Sequence, residues 1–286
     1  MKYVIITPVR NEEKYLEKTI TSVISQKTKP IEWIIVNDGS SDRTGSIINS
    51  YAKQFKWIRA VHRKNRGYRK SGGGVIEAFY DGYNSLSPED WSFIVKLDGD
   101  LSFGEKYFES CFNKFDEIQN LGICGGDIYW VNNGQMYLEK NPSFHVRGAT
   151  KIYKRECWFD IGGLKRSPGW DTVDEVYANM LGWKTRSFPE LKIIQHRRTG
   201  GADGAWRSSI KDGSADFYAG YHPLFMLVKC IRRIFNQPYF LESIGLLYGF
   251  SRGYIKRTPQ FDNKAIIDYL RKQQLRKLFF MDSIWN

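Results

Sequence analysis

The chain has 286 residues, 42% hydrophobic and 15% aromatic, with 43 Lys and Arg against 31 Asp and Glu, a formal net charge of +12. That length and apolar content exclude a disordered chain and allow one large domain or two small ones, while the charge predicts anionic partners without choosing among nucleotides, lipid headgroups and nucleic acid. Cys111, Cys124, Cys157 and Cys230 lie far apart with no C-x-x-C pair, which argues against a disulfide framework and a zinc site and fits a reducing compartment.

The N-terminal MKYVIITPVRNEE turns charged too soon for a signal peptide, and no apolar run approaches the roughly 18 residues of a membrane span. A cytoplasmic protein is expected, adhering at most to the inner face of a membrane. Residues 2–7 read as a β-branched strand, and Pro8 and Asn11 as a turn. Glu12 to Gln26 follow with Leu16, Ile20, Val23 and Ile24 at helical spacing. Ile31 to Val36 read as the next strand, and Ser41 or Asp42 can cap a helix through Ile47, Ile48 and Tyr51. Trp57–Val61, Gly72–Tyr80 and Ser92–Leu97 continue as strand, helix and strand. This alternation predicts an α/β fold, a mostly parallel Rossmann-like sheet flanked by helices. Later, Phe108–Ile118 and Asp171–Leu181 read as helices, and Ile123–Trp130 and Phe144–Tyr153 as strands.

Three of these strands end in polar residues: Thr7-Pro8, Asn37-Asp38 and Asp98-Gly99-Asp100. Ligands in such sheets bind beyond the carboxyl ends of the strands, so the three stretches are expected on one rim. Two carboxylates separated by one glycine repel unless a cation or water lies between them. Mg²⁺ or Mn²⁺ prefers such oxygen ligands and bridges phosphate oxygens. The bland alternatives are solvated turn aspartates and, for Asn37-Asp38-Gly39, an Asx turn.

With Thr7-Pro8-Val9-Arg10-Asn11-Glu12, Val36-Asn37-Asp38-Gly39-Ser40-Ser41-Asp42 and Leu97-Asp98-Gly99-Asp100 in this order, the chain resembles the family 2 glycosyltransferases over about residues 1–200. The resemblance implies the GT-A fold and an inverting, metal-dependent sugar transfer from a nucleotide-sugar donor. It implies that Asp38 accepts a hydrogen bond from the base, with Thr7, Pro8 and Glu12 around base and ribose. Asp100 would bind a divalent cation, Mg²⁺ or Mn²⁺, through the diphosphate, and Asp98 the ribose or the cation's water shell. His196 is the further metal or diphosphate ligand that the resemblance suggests, with Arg197 and Arg198 beside it. Arg69 or Lys70, in the glycine-rich stretch before a helix, could hold the nucleotide.

On the expected helix, Asp171, Asp174 and Glu175 share one face at i, i+3 and i+4. Three clustered carboxylates need a cation, a hydrogen bond or a shared proton. The family usually has Glu-Asp here, and Trp170 replaces the glutamate. The general base is therefore Asp171 first, with Asp174 and Glu175 as alternatives. His145, ahead of the expected acceptor loop, reads equally as structural.

Residues 1–205 are expected to form the catalytic domain, 1–103 holding the nucleotide and 104–205 the acceptor. Residues 206–286 would be a basic, mostly helical extension. Within it, 221–257 mix apolar clusters with Arg and Lys and read either as a membrane-contacting segment or as helices packed on the catalytic domain. The resemblance implies an acceptor glycan or glycolipid in envelope or exopolysaccharide assembly, and no specific nucleic acid. The rival readings are a nucleotidyltransferase, disfavoured by Pro-Val-Arg-Asn-Glu after the first strand, and a non-catalytic basic protein binding lipid or nucleic acid.

Overall fold

A computed structural model of the chain describes residues 1–67, 73–132, 134–197, 204–235 and 240–286. The first half alternates β1 (Tyr3–Val9), α1 (Leu16–Ile24), β2 (Glu32–Asn37), α2 (Thr44–Gln54), β3 (Ile58–His62), α3 (Gly73–Tyr83) and β4 (Phe93–Leu97). β5 (Leu101–Phe103), α4 (Tyr107–Glu117), β6 (Leu121–Asn132), β7 (Gln135–Leu138), β8 (Thr150–Lys154), α5 (Arg155–Asp160), α6 (Trp170–Met180) and β9 (Lys184–Gln195) follow. The chain then runs through α7 (Gly204–Tyr218), α8 (Pro223–Arg233), α9 (Leu241–Ile255) and α10 (Lys264–Leu278).

The strands form one sheet in the order β3-β2-β1-β4-β8-β6-β9-β5, with β7 on β6. β1 pairs in parallel with β2 and β4, and β2 with β3. The rest is mixed: β8 runs antiparallel to β4 and β6, β9 is parallel to β6, and β5 is antiparallel to β9. The expected mostly parallel sheet is therefore a curled mixed one. Parallel pairing needs a long crossover, and β8 instead arrives beside β4 from the opposite direction. The strand expected over Phe144–Tyr153 is limited to β8, because Pro142 and Gly148 disfavour continuous pairing ahead of it.

Period-two alternation supplies both faces. Tyr3, Ile5, Trp33, Ile35, Phe93 and Val95 point to one core with Leu16, Ile20, Ile48 and Phe108. Val4, Ile6, Ile34, Val36 and Ile94 point to the other with Ile76, Phe79, Trp158 and Trp170. Each such side chain taken fully out of water contributes roughly 1.5–3 kcal/mol, which is why the strands read as unbroken apolar runs. A third core joins Val173 and Val176 of α6 to Phe217, Met226, Leu246, Phe250, Ile266 and Leu270 of the C-terminal helices. α6 is thus held between sheet and C-terminal helices, and its exposed edge faces the gap between them. No described helix is long and apolar enough to cross a membrane.

Candidate active site

β4 stands at the centre of the sheet, whereas β5, three residues later, pairs at the far edge with β9. Asp98-Gly99-Asp100 makes that crossing. An added Cβ on Gly99 would lie 2.4 Å from Cγ1 of Val9, so only glycine lets the turn press against β1. Asp98 is partly exposed, and its carboxylate takes a hydrogen bond from Lys96, whose ammonium also donates to the Gly148 carbonyl. Asp100 is buried; Gln195 Nε2 is 3.4 Å from its Oδ2 and Arg197 Nε is 3.7 Å away. Burial first, and the charge of Asp98 next, push its pKa up to about 6.

Glu12 joins the same group. Its carboxylate pairs with Arg197 through Oε1, while Oε2 is buried with no partner. Burial raises its pKa to about 7, with Asp100 and Asp98 adding to the rise and Arg197 opposing it. Asp38, at the end of β2, is gripped by Arg63 and by Arg66, whose Nη2 is 2.7 Å from Oδ2. Its backbone carbonyl accepts from Arg10 at 3.1 Å.

The Thr7 and His196 side chains are engaged elsewhere. Thr7 is fully buried, and its hydroxyl accepts from the Trp33 indole at 2.9 Å, so its side chain serves the core. Pro8 lies in β1 opposite Val36. The His196 ring is 2.9 Å from the Ser102 hydroxyl and stacks on Tyr15. Arg197, not His196, meets Asp100 and Glu12 through its side chain. Among the described residues no group of three or more His, Cys, Asp or Glu could hold a metal ion. Arg69, Lys70 and Arg198 lie outside the described residues.

The three helix-face acids separate. Asp174 and Glu175 are buried and engaged: Lys151 Nζ lies 2.9 Å from Asp174 Oδ1 and 2.8 Å from Glu175 Oε1. The Tyr153 hydroxyl also donates to Asp174, and Glu175 takes Val146 N–H at 2.7 Å and contacts His145 Nδ1 at 2.8 Å. Burial still pushes Asp174 up to about 6. Their lone pairs are spent on structure, which leaves Asp171. Asp171 lines a cavity of about 930 Å³ with His145, Arg147, Gln195, Asp212 and Tyr221. Burial would raise its pKa, but His145, Lys151 and Arg147 hold the carboxyl below its ordinary value. Gln195 reaches from this cavity to Asp100, so the two acidic centres adjoin. Asp38 stands apart from the residues lining that cavity.

Sequence reasoning passed over the lysines beneath the site. Lys96 and Lys151 are opposite partners on β4 and β8, and both are buried. Directly opposed like charges are unfavourable. Here Asp98, Asp174 and Glu175 neutralise them, and the Trp170 ring lies 5.4 Å from one ammonium and 5.5 Å from the other. Trp170 thus serves as a cation–π platform for both lysines. A lone lysine inside the otherwise apolar FIVKL was the available signal. Arg147 was missed as well: it pairs with Glu139 at 3.0 Å, leaves a buried Nε without a partner, and stands near Asp171, Asp212 and Asp98.

Comparison with known proteins points to one family. The family model for glycosyl transferase family 2 matches residues 4–164. The chain is 30% identical over 197 residues to "Glycosyltransferase GlyA" of Streptococcus pneumoniae, covering 67% of this chain and 26% of that protein. It is 38% identical over 125 residues to "Uncharacterized glycosyltransferase EpsJ" of Bacillus subtilis, covering 44% of this chain and 33% of EpsJ. The chain therefore spans a quarter to a third of these relatives. Its fold is similar to the crystal structure of S. aureus TarS 1-349 in complex with UDP, at TM-score 0.54 and 15% identity over 90% of this chain and 72% of that one. It is also similar to the mannosyltransferase PcManGT from Pyrobaculum calidifontis in complex with GDP-Man and Mn²⁺, at TM-score 0.56 and 16% identity over 98% and 76%.

Proposed function

The chain belongs to glycosyl transferase family 2, and on that premise we propose that it moves a sugar from a nucleoside-diphosphate donor to an acceptor hydroxyl with inversion. The observation that carries this reading is Asp171: an ionised carboxylate on the wall of a roomy cavity, one residue, Gln195, away from the buried Asp100. Its two acidic helix neighbours are tied to Lys151.

In this reading Asp38 accepts from the nucleotide base, and Arg63 and Arg66 fix its orientation. Pro8 and Glu12 border base and ribose. Asp171 accepts the acceptor hydroxyl's proton as that oxygen attacks the anomeric carbon from the side opposite the leaving diphosphate. Arg147, with its free Nε–H, steadies an oxygen of either substrate. The C-terminal helices, 206–286, complete the acceptor wall that 104–205 begin.

The donor set suits a hard divalent cation. Asp98 raises the proton affinity of Asp100, and Glu12 keeps a buried oxygen without a partner. Mg²⁺-type ions are held by one or two carboxylates plus substrate phosphates rather than by a complete protein cage. Bound there, a cation would offset charge on the departing diphosphate. Assembly of an envelope or exopolysaccharide glycan is the setting we propose, on the likeness to relatives.

The test is a panel of nucleotide sugars scored by thermal stabilisation in Mn²⁺, followed by product analysis of the anomer formed. A donor that stabilises the protein and gives an inverted product supports the reading. No stabilisation by any nucleotide, with or without Mn²⁺, overturns it.

A further inference from the structure

Helices α8 and α9 carry apolar side chains on both sides. On α8, Met226 and Cys230 enter the third core, while Leu224, Leu227 and Ile231 recur at i, i+3 and i+7 on another side, 44%, 47% and 51% exposed. On α9, Leu246 and Phe250 turn inward, and Leu241, Ile244, Tyr248 and Ile255 turn outward, with Ile255 80% exposed. The helices are neighbours, tied by the Ser243 hydroxyl donating to the Cys230 carbonyl at 2.9 Å. A surface helix ordinarily presents polar residues to water. Two adjacent helices that do not are the mark of a surface meant to be covered.

Charge decides what covers it. Residues 221–257 hold Lys229, Arg232, Arg233, Arg252, Lys256 and Arg257 against a single acid, Glu242. Lys229 is matched by Asp216 at 2.6 Å, but Arg232, Arg252, Lys256 and Arg257 are exposed. A second copy docked through the same face would bring these cations together. An anionic bilayer would accept the apolar side chains and attract the flanking charges at once.

We infer that the outward faces of α8 and α9 dock on an anionic lipid bilayer. α8 also supplies Phe225, Lys229 and Arg232, from other sides of the helix, to the lining of the cavity containing Asp171. The helix that docks is therefore also one that lines the cavity. Docking stands on the helix faces alone; only delivery of a membrane-held acceptor to that cavity rests on the transferase reading.

The full chain is mixed with phosphatidylglycerol or phosphatidylcholine vesicles and binding is read by flotation at low and high salt. Binding to phosphatidylglycerol vesicles, weakened by salt and absent with phosphatidylcholine, is expected. The double variants Ile231→Asp with Ile244→Asp, and Lys256→Glu with Arg257→Glu, should each weaken binding by about tenfold or more without changing the melting temperature. No binding to phosphatidylglycerol vesicles overturns the inference, as does equal binding by all variants. A concentration-dependent dimer dispersed by Ile231→Asp would also overturn it, in favour of a second copy. Flotation requires no turnover, so failure of the transferase reading leaves this result standing.

Discussion

Lys151 Nζ lies 2.9 Å from Oδ1 of Asp174, and neither side chain is exposed to water. This pair, with Glu175 on the same ammonium, anchors the first turns of α6 to β8. It fixes the helix on which Asp171 stands.

Removing the ammonium leaves two buried carboxylates without their cation. Lys151→Met should destabilise the protein by about 3–5 kcal/mol, read as a lowered urea midpoint. Asp174→Asn should also lower the midpoint, because Lys151 then keeps only Glu175. Wild-type stability in both variants would mean that the acids serve something other than the fold.

Asp171 makes a different prediction. Its side chain faces a cavity, and its lowered pKa gives the ionised form a contribution to stability, so Asp171→Asn should lower the unfolding midpoint, but less than Lys151→Met does. Donor affinity should hold, while transfer falls by about a hundredfold to ten-thousandfold. Calorimetric donor titration beside a turnover assay separates the two effects. Retained turnover would remove Asp171 from the role of base.

The carboxylate pair predicts how nucleotide binding depends on acidity. Burial pushes the pKa of Asp100 up to about 6 and that of Glu12 up to about 7. Protons compete with a cation for carboxylates, so Mn²⁺-dependent nucleotide affinity should fall as pH drops from about 7 to about 5. Asp100→Asn should abolish the Mn²⁺ dependence at any pH. Calorimetry that finds the variant as Mn²⁺-responsive as the wild type would contradict the assignment.

The same elevated pKa values bear on stability. A carboxyl that holds its proton more tightly when folded contributes stability below its unfolded pKa and loses it as pH rises through the folded one. For Glu12 that window runs from 4.5 to about 7. Glu12→Gln, which removes the buried charge, should therefore be more stable than the wild type at pH above about 7, by at most about 3 kcal/mol. The difference should shrink toward pH about 5. Melting temperatures across that range would show it, and a variant less stable at high pH would mean that the Arg197 pair outweighs burial.

The sequence determined the strand ends, because β-branched runs closed by Pro, Asp and Gly admit few other readings. Asp38, Asp98 and Asp100 follow from those ends alone. What it could not decide was which side chains were already spent. Asp171, Asp174 and Glu175 are equivalent on a helical wheel, and only the arrival of β8, with Lys151 beneath α6, separates them. Lys96 meets Lys151 through antiparallel pairing between strands more than fifty residues apart in the chain, and no local periodicity reports such a contact. Likewise nothing in the local pattern around His196 decided that Arg197, rather than the histidine, would stand beside Asp100. Local pattern fixes which face a residue occupies, whereas a carboxylate's partners are set by chain segments that meet only when the sheet closes.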